Sequence, residues 1–482
     1  MADGRYDRNL IVIGAGSAGL VSAYIAAAVK SSVTLIEKNR MGGDCLNTGC
    51  VPSKALLKSA RVAALVKRAD EFGIKVGEPQ VDFAAVMQRV HGVIAMIEPH
   101  DSIERYESLG VECLVGEAEL VDAHTVKVNG TTLTTKNIII ASGGLPVVPP
   151  LPGLEKGDYV TSENLWQLRD QPQQMIVLGG GPIGCELSQA FARLGSKVTQ
   201  VEMAPRILLR EDEEVSSQMQ AQLEHDGVNC MPNTRAVRLE KTGEQKQLVC
   251  EQGGQEVKFP FDTLLVAVGR KAVTSIPGLD KLGLELNQDG TLKVDEYMQT
   301  SQQGIFACGD VAGPYQFTHV AAHQAWFASI NALFGRFWKF KVDYSVIPWA
   351  TFTEPEVARV GLNEQEAKQK GIAYEVSRYE LDELDRAITE GETRGFVKVL
   401  TVPGKDRILG ATIVAEQAGE LITEYINAMK HGLGLNKILG TIHIYPTLSE
   451  ANKFTAGVWK RAHAPQWLLG LVEKFHRWQL RN

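Results

Sequence analysis

Two copies of one glycine pattern, each lodged between a buried strand and a helix, constrain this 482-residue chain more than any other feature. The apolar run Leu10–Ile13 leads into Gly14-Ala15-Gly16-Ser17-Ala18-Gly19. A small-residue helical stretch follows to about Val29, and Ser32–Ile36 reads as a second strand ending at Glu37. About 165 residues on, Met175–Leu178 leads into Gly179-Gly180-Gly181-Pro182-Ile183-Gly184, a helix Cys185–Leu194, and a strand Ser196–Val201 ending at Glu202. The strands are apolar rather than alternating, as parallel strands covered on both faces are. The first glycine of such a pattern permits the tight turn, and the second lets backbone approach a pyrophosphate. The third lets helix and strand pack closely, and the acid binds a ribose hydroxyl. Open N–H groups at the helix start hold the pyrophosphate. One copy is weak evidence. Two in full context predict two dinucleotide-binding domains rather than a solenoid of short repeats.

At about 150 residues per domain, the length suggests roughly three domains. Asn137–Ala141 reads as the closing strand of the first, followed by a Pro-rich linker, Leu145–Gly153. Thr263–Val268, closed by Gly269-Arg270, plays the same part in the second. From Tyr344 a β-rich domain follows, with strands at Val357–Gly361, Gly395–Thr401 and Ile408–Ala415 and a helix at Gly419–His431. Fifty Lys+Arg against 57 Asp+Glu leave a net charge of −7, without the basic footprint that nucleic acid requires. No apolar run approaches the roughly 18 residues of a membrane span. The segment Met1–Arg8 lacks the order of a signal peptide. The expected location is cytoplasmic, and seven cysteines are too few for a disulfide scaffold.

The stretch Met41-Gly42-Gly43-Asp44-Cys45-Leu46-Asn47-Thr48-Gly49-Cys50-Val51-Pro52-Ser53-Lys54 stands apart. In a regular helix, residues five apart point in directions about 140° different, so a Cys45–Cys50 disulfide needs an irregular turn. Gly49 and Pro52 suit a distorted helix start. So local a bridge stabilises little through chain entropy and reads as redox-active rather than structural. A metal site, for which the spacing lacks a second ligand pair, and two inert core thiols are the other readings. The remaining cysteines are scattered singly, as small core hydrophobes are.

Gly42–Lys54 resembles the redox-active motif of the class I pyridine nucleotide-disulfide oxidoreductases, the flavoproteins that include dihydrolipoamide dehydrogenase, glutathione reductase and mercuric reductase. The resemblance covers nearly the whole chain. Thr300–Asp310 resembles the second FAD motif, and Thr351–Glu356 the start of the dimerisation domain. The implied fold is α/β, with two Rossmann-like domains for FAD and NAD and an α+β C-terminal dimerisation domain. The implied boundaries are 1–148 for the first part of the FAD domain, 149–271 for NAD(P), 272–343 for the central part of the FAD domain and 344–482 for dimerisation, with an amphipathic tail from about 465. Gly14, Gly16, Gly19, Glu37, Lys38, Gly43, Lys54, Ala118, Ser142, Gly143, Asp310, Gln316, Phe317, Thr318 and His319 would hold FAD. Gly179, Gly181, Gly184, Glu202 and Gly269 would hold the pyridine nucleotide. Glu202 would accept the 2′-hydroxyl of NAD and repel the 2′-phosphate of NADP, with Arg206 and Arg210 read as surface cations balancing Glu211–Glu214.

The mechanism implied is a flavoprotein NAD(P)H:disulfide oxidoreductase acting on a sulfur group. Hydride passes from NADH to flavin, and the electrons go on to the Cys45–Cys50 disulfide and a small disulfide or thiol-bound acceptor. Cys50 would be the thiolate beside the flavin and Cys45 the exposed, exchanging thiol, with Lys54 near the flavin and paired with Glu186. The family's partner-subunit pattern His-Pro-Thr-x-x-Glu reads here Tyr445-Pro446-Thr447-Leu448-Ser449-Glu450. A homodimer with shared active sites is therefore implied, but a phenol with a pKa near ~10 replaces the imidazole base. That argues against efficient dihydrolipoamide turnover. His443, two residues earlier, reads as a structural histidine.

Mercuric reductase also carries a tyrosine there, which makes a metal-ion reductase holding Hg(II) on Cys45, Cys50 and Tyr445 an alternative, with no resident metal implied. No cysteine follows Cys308, however, and none precedes Cys45, so an N-terminal metal-binding domain with its own Cys pair is not expected. A diaphorase or redox-sensing flavoprotein is a further alternative. Beyond the core, Trp467, Leu468, Leu471, Val472, Phe475 and Trp478 recur at helical spacing among Lys474, His476, Arg477 and Arg481. That tail reads either as a helix docked on the dimer or as a surface for a membrane interface or partner.

Overall fold

Strand β1 (Arg8–Ile13) places Leu10, Ile11, Val12 and Ile13 in the core. It runs into helix α1 (Ser17–Ala28), whose covered face is mostly alanine, so helix and sheet pack closely. Strand β2 (Val33–Glu37) pairs in parallel with β1, Leu10 opposite Val33. Helix α2 (Cys50–Lys67) follows, then strands β3 (Val111–Val115) and β4 (Thr131–Ile140), parallel to β2 and β1 respectively. The second copy repeats this grammar with β5 (Gln174–Leu178), α3 (Pro182–Arg193), β6 (Lys197–Val201), β7 (Val228–Met231) and β8 (Thr263–Val266). Its strands run parallel in the order β7-β6-β5-β8. The chain then returns to the first sheet with β9 (Ile305–Ala307), parallel to β4, completing the order β3-β2-β1-β4-β9, and enters helix α4 (Thr318–Phe334).

The computed structural model describes residues 6–243 and 245–481. Residues 1–5 of the polar opening segment, residue 244 and residue 482 lie outside the described residues. The chain forms two units, one from Met1–Ile207 with Leu223–Asp343, the other from Leu208–Gln222 with Tyr344–Asn482. Part of the linker expected at Leu145–Gly153 is a strand. Gly144–Pro146 pairs antiparallel with Arg270–Ala272, so both crossings between the dinucleotide-type halves form one ribbon. A two-stranded ribbon tolerates a proline because an edge strand needs no N–H on its open side.

The second unit is built on an antiparallel sheet of β10 (Pro348–Thr351), β11 (Glu356–Gly361), β12 (Glu375–Glu380), β13 (Phe396–Thr401) and β14 (Ile408–Ala415), in the order β10-β11-β14-β13-β12. This is the α/β class with an added α+β domain that the sequence implied. The acidic run Glu211–Glu214, read as a surface feature balanced by Arg206 and Arg210, is fully at the surface only at Glu213. It belongs to the second unit, where Glu211 and Asp212 are buried. Arg359, on β11, is fully covered and pairs with Glu211 at 3.0 Å and Glu366 at 2.9 Å, its guanidinium over the Trp349 ring. Lys398, on β13, is equally covered and meets Asp212 at 2.6 Å, Glu364 at 3.0 Å, and Glu214. Charges this deep persist only when paired and hydrogen-bonded.

Burial pushes the Asp212 and Glu364 carboxyls up, but hydrogen bonds from Lys398 outweigh it and hold both below the ordinary carboxylate range. Lys398→Ala strands these carboxylates, and a loss of about 3–5 kcal/mol in urea-unfolding stability is expected. A depressed folded pKa gives stability that is present above the unfolded value and lost as pH falls. The wild-type advantage over Lys398→Ala should therefore shrink on acidification below about pH 4.

Candidate active site

Glycine turns place everything at this site. A Cβ on Gly19 would lie 1.7 Å from the Gly14 carbonyl oxygen, and one on Gly184 would lie 2.1 Å from that of Gly179, so in both copies only glycine lets the helix meet the turn. Each acid is tied to its turn in the same way. Glu37 accepts the N–H of Ala15 at 2.7 Å and that of Asn39 at 2.8 Å. Glu202 accepts from Gly180 at 2.5 Å and Ala204 at 2.6 Å. Helices α1 and α3 start at Gly16 and Gly181 with no side chain capping their N–H groups.

The cysteine stretch sits on the first turn. Gly42 N–H donates to the Ala15 carbonyl at 2.9 Å. Gly43, at φ +58°, lies so close that a Cβ on it would be 2.6 Å from Gly16 Cα. A helical turn, Gly43–Asn47, carries Cys45 and then breaks at Thr48-Gly49, and α2 restarts at Cys50. The break turns two thiols five residues apart toward one another. Both are free thiols that share a hydrogen bond.

Cys45, Cys50, Lys54, Glu186, Gly16, Gly143, Asp310, Gln316 and Thr318 all line one cavity. Cys50 Sγ lies 3.3 Å from Thr318 Oγ1. Lys54 Nζ donates to Glu186 at 2.8 Å, the carboxylate being nearly covered. The hydrogen bond from Cys45, aided by Thr318 and the Lys54 charge, lowers the Cys50 thiol to about 6, while the same pairing and burial push Cys45 up. Cys50 is thus the more acidic thiol of the pair, with the start of α2 adding its favourable dipole. Cys50 is exposed and Cys45 half-buried, because the first residue of α2 faces the cavity while Cys45 lies within the preceding turn.

The sequence pattern of the pyridine nucleotide-disulphide oxidoreductases matches residues 8–325, and that of their dimerisation domain matches residues 347–456. The chain belongs to this family. It is 35% identical to a mercuric reductase of Bacillus cereus over 94% of its own length and 71% of the relative's. It is also 35% identical to a dihydrolipoyl dehydrogenase of Chlamydia muridarum, over 92% and 94%. Among solved structures, the HOCl-induced flavoprotein disulfide reductase RclA of Escherichia coli superposes with a TM-score of 0.83 at 28% identity, covering 93% of this chain and 99% of that one. Its Cu(II) complex matches equally, at 0.83 and 27%, over 94% and 99%.

Pyridine nucleotide-disulphide oxidoreductases are flavoprotein enzymes that act on sulfur groups with FAD and NAD(P), and this member's residues fit both groups. Beyond Gly181 the position of a Cβ is open space, and beyond Gly16 it meets only Gly43 Cα, at 3.8 Å, so a diphosphate can approach either backbone. The uncapped N–H groups of α1 and α3 stand ready for it. Asp310 is largely covered, and burial raises its pKa. Lys38, Ala118, Ser142, Phe317, His319 and Gly269, also expected at the cofactors, are not among the residues that line the cavity. Lys38 pairs with Glu117 at 3.9 Å, and Ala118 is buried. Ser142 donates to the Val273 carbonyl, Phe317 stacks on His319, and Gly269 has φ +135°.

Tyr445 and Glu450 lie in the second unit. The exposed Tyr445 hydroxyl donates to Asp385 at 2.9 Å, which raises its pKa, and Glu450 is buried, accepting from Thr447 N–H at 3.2 Å. His443 has Nε2 3.0 Å from Glu424 and Nδ1 3.1 Å from the Thr441 carbonyl, as a structural histidine does. Among the described residues, no helix is long and apolar enough to cross a membrane.

Sequence reading missed two site residues. Arg270 pairs with Asp44, donates to the Gly144 carbonyl at 2.7 Å and reaches Asp310 at 3.4 Å. Its place beside Gly269 was the available signal. Trp166 donates to the Thr48 carbonyl at 2.8 Å, pinning the break between the cysteines, and no local pattern marks it. In the reduced enzyme, alkylation of Cys50 should follow an apparent pKa near 6. Cys45→Ala removes the main stabilising bond and should move that midpoint toward the ordinary thiol value of about 8.5, read as the pH dependence of iodoacetamide labelling.

Proposed function

We propose that this chain is an NADH-preferring disulfide oxidoreductase working as a homodimer, in which Cys45 and Cys50 exchange electrons with a small disulfide. The observation that carries this reading is the joint placement of the thiol pair, Thr318 and Lys54 in the cavity that also holds Gly16 and Asp310. FAD, when bound, supplies the two-electron relay between the nicotinamide and the cysteine pair. The remaining chemistry belongs to the chain. Cys45 and the Cys50 thiolate share one proton, so its transfer to Cys50 frees Cys45 as the nucleophile. Cys45 sulfur attacks the substrate disulfide, forming a mixed disulfide and releasing one substrate thiolate. Cys50 then attacks Cys45 sulfur and releases the second. Two electrons leave the pair and one disulfide forms as one breaks, while the pair's single proton and one from water end on the two product thiols.

This internal proton sharing takes over work that Tyr445 does poorly, since Asp385 raises the pKa of a group already a weak acceptor. Tyr445 and Glu450 of one subunit complete the site of the other. Anaerobic NADH titration of the yellow protein should give a long-wavelength thiolate–flavin band at two-electron reduction, altered in Cys45→Ser. Direct bleaching without that band would sink the reading in favour of a diaphorase.

Glu202 carries the nucleotide preference, because its carboxylate faces the place where a 2′-phosphate would bring like charge. Glu202→Ser should narrow the NADH over NADPH ratio of kcat/KM by about tenfold or more.

A second reading is favoured by the two adjacent free thiols and by tyrosine at position 445. In it a thiophilic metal ion such as Hg(II), arriving as a dithiol complex, is held by the cysteine sulfurs and accepts two electrons. The mercuric reductase relatives and the Cu(II) complex of RclA make soft-metal substrates the ones to screen beside disulfides. Tyr445→His should raise dihydrolipoamide turnover and leave any metal-dependent NADH oxidation flat or lower.

A further inference from the structure

Helix α5 (Gln466–Gln479) lies beyond the family's dimerisation domain, whose match ends at residue 456, and buries none of its residues. At 100° per residue, Trp467, Trp478, Leu471, Phe475, Leu468 and Val472 share one sector about 140° wide. The largest of them are exposed, Trp467 at 71% and Trp478 at 61%. Lys474 and Arg481 fall just beside the two tryptophans, and Arg477 follows on the polar face. From Lys460 to Arg481 there are five Lys or Arg against one acid, Glu473, in a chain whose net charge is −7. A basic island on an acidic protein, carrying its tryptophans at the boundary between apolar and charged sectors, has the chemistry of an anionic lipid surface. Fourteen residues reach only about 21 Å, too short to span a bilayer core.

We infer that α5 is an interfacial anchor that lies flat in one leaflet of a membrane rich in anionic lipid. Lys474, Arg477 and Arg481 meet the headgroups, and the Trp467–Trp478 sector sinks among the acyl chains. A second copy of this chain is the competing occupant. Pairing of α5 with its own copy is disfavoured because two such helices bring like charges together, whereas an anionic leaflet attracts them.

Flotation of the full-length, flavin-loaded protein on vesicles of phosphatidylcholine with about 30% phosphatidylglycerol tests this. The wild type should float, and binding should fall about tenfold or more on pure phosphatidylcholine or in about 0.5 M salt. The double variant Leu471→Glu, Phe475→Glu should stay at the bottom while its flavin absorbance and NADH oxidation match wild type. Wild-type protein that remains at the bottom overturns the inference, and so does a variant that floats like wild type. If neither floats and the variant loses its dimer in size-exclusion chromatography, the face is a contact between copies and the membrane anchor is excluded.

Discussion

A contact between two glycine backbones is the constraint on which the site depends. Gly43 rests on Gly16, and Gly42 donates to Ala15, so the cysteine stretch and the first dinucleotide turn are held together without an intervening side chain. A methyl group at Gly43 would have to displace backbone, not a flexible side-chain end, and overpacking of that kind costs about 1–3 kcal/mol. It would also cost the alignment of Cys50 with Thr318 and Asp310, because all three share the cavity that this contact fixes. The fold therefore sets the distance from thiol to cofactor turn through main chain, the least adjustable part of the protein.

The break at Thr48-Gly49 is the second device. A continuous helix would send the two sulfurs to different faces. The break brings them together, and Trp166 fixes it by bonding to the Thr48 carbonyl. Once adjacent, the thiols tune each other in opposite directions, and one proton serves both. A pair arranged like this titrates as a unit rather than as two separate thiols.

What could be read in the sequence was what local spacing encodes. The two glycine turns, their acids and the cysteine stretch each lie within a short window, and the buried parallel strands show as apolar runs. Residues whose meaning depends on distant partners stayed hidden. Arg270 joins Asp44 and Asp310 across more than two hundred positions on one side, and the neighbouring Gly269 marks a turn there without revealing that reach. Glu211–Glu214 looked like a solvated acidic run because charges are rarely buried. Their partners, Arg359 and Lys398, lie on strands some 150 to 190 residues away, and they too look like ordinary surface residues in an alternating strand.

That charge cluster carries a lesson about the order of synthesis. The chain leaves the first unit after Ile207, lends fifteen residues to the second, and returns at Leu223. When those acids emerge from the ribosome, neither cation that neutralises them has been made. The second dinucleotide half must close around an excursion whose destination does not yet exist. A severed 344–482 fragment would inherit Arg359 and Lys398 without Glu211, Asp212 or Glu214. In evolutionary terms the C-terminal domain is not a detachable module. Recombination that swaps it between relatives must carry the distant acidic segment along.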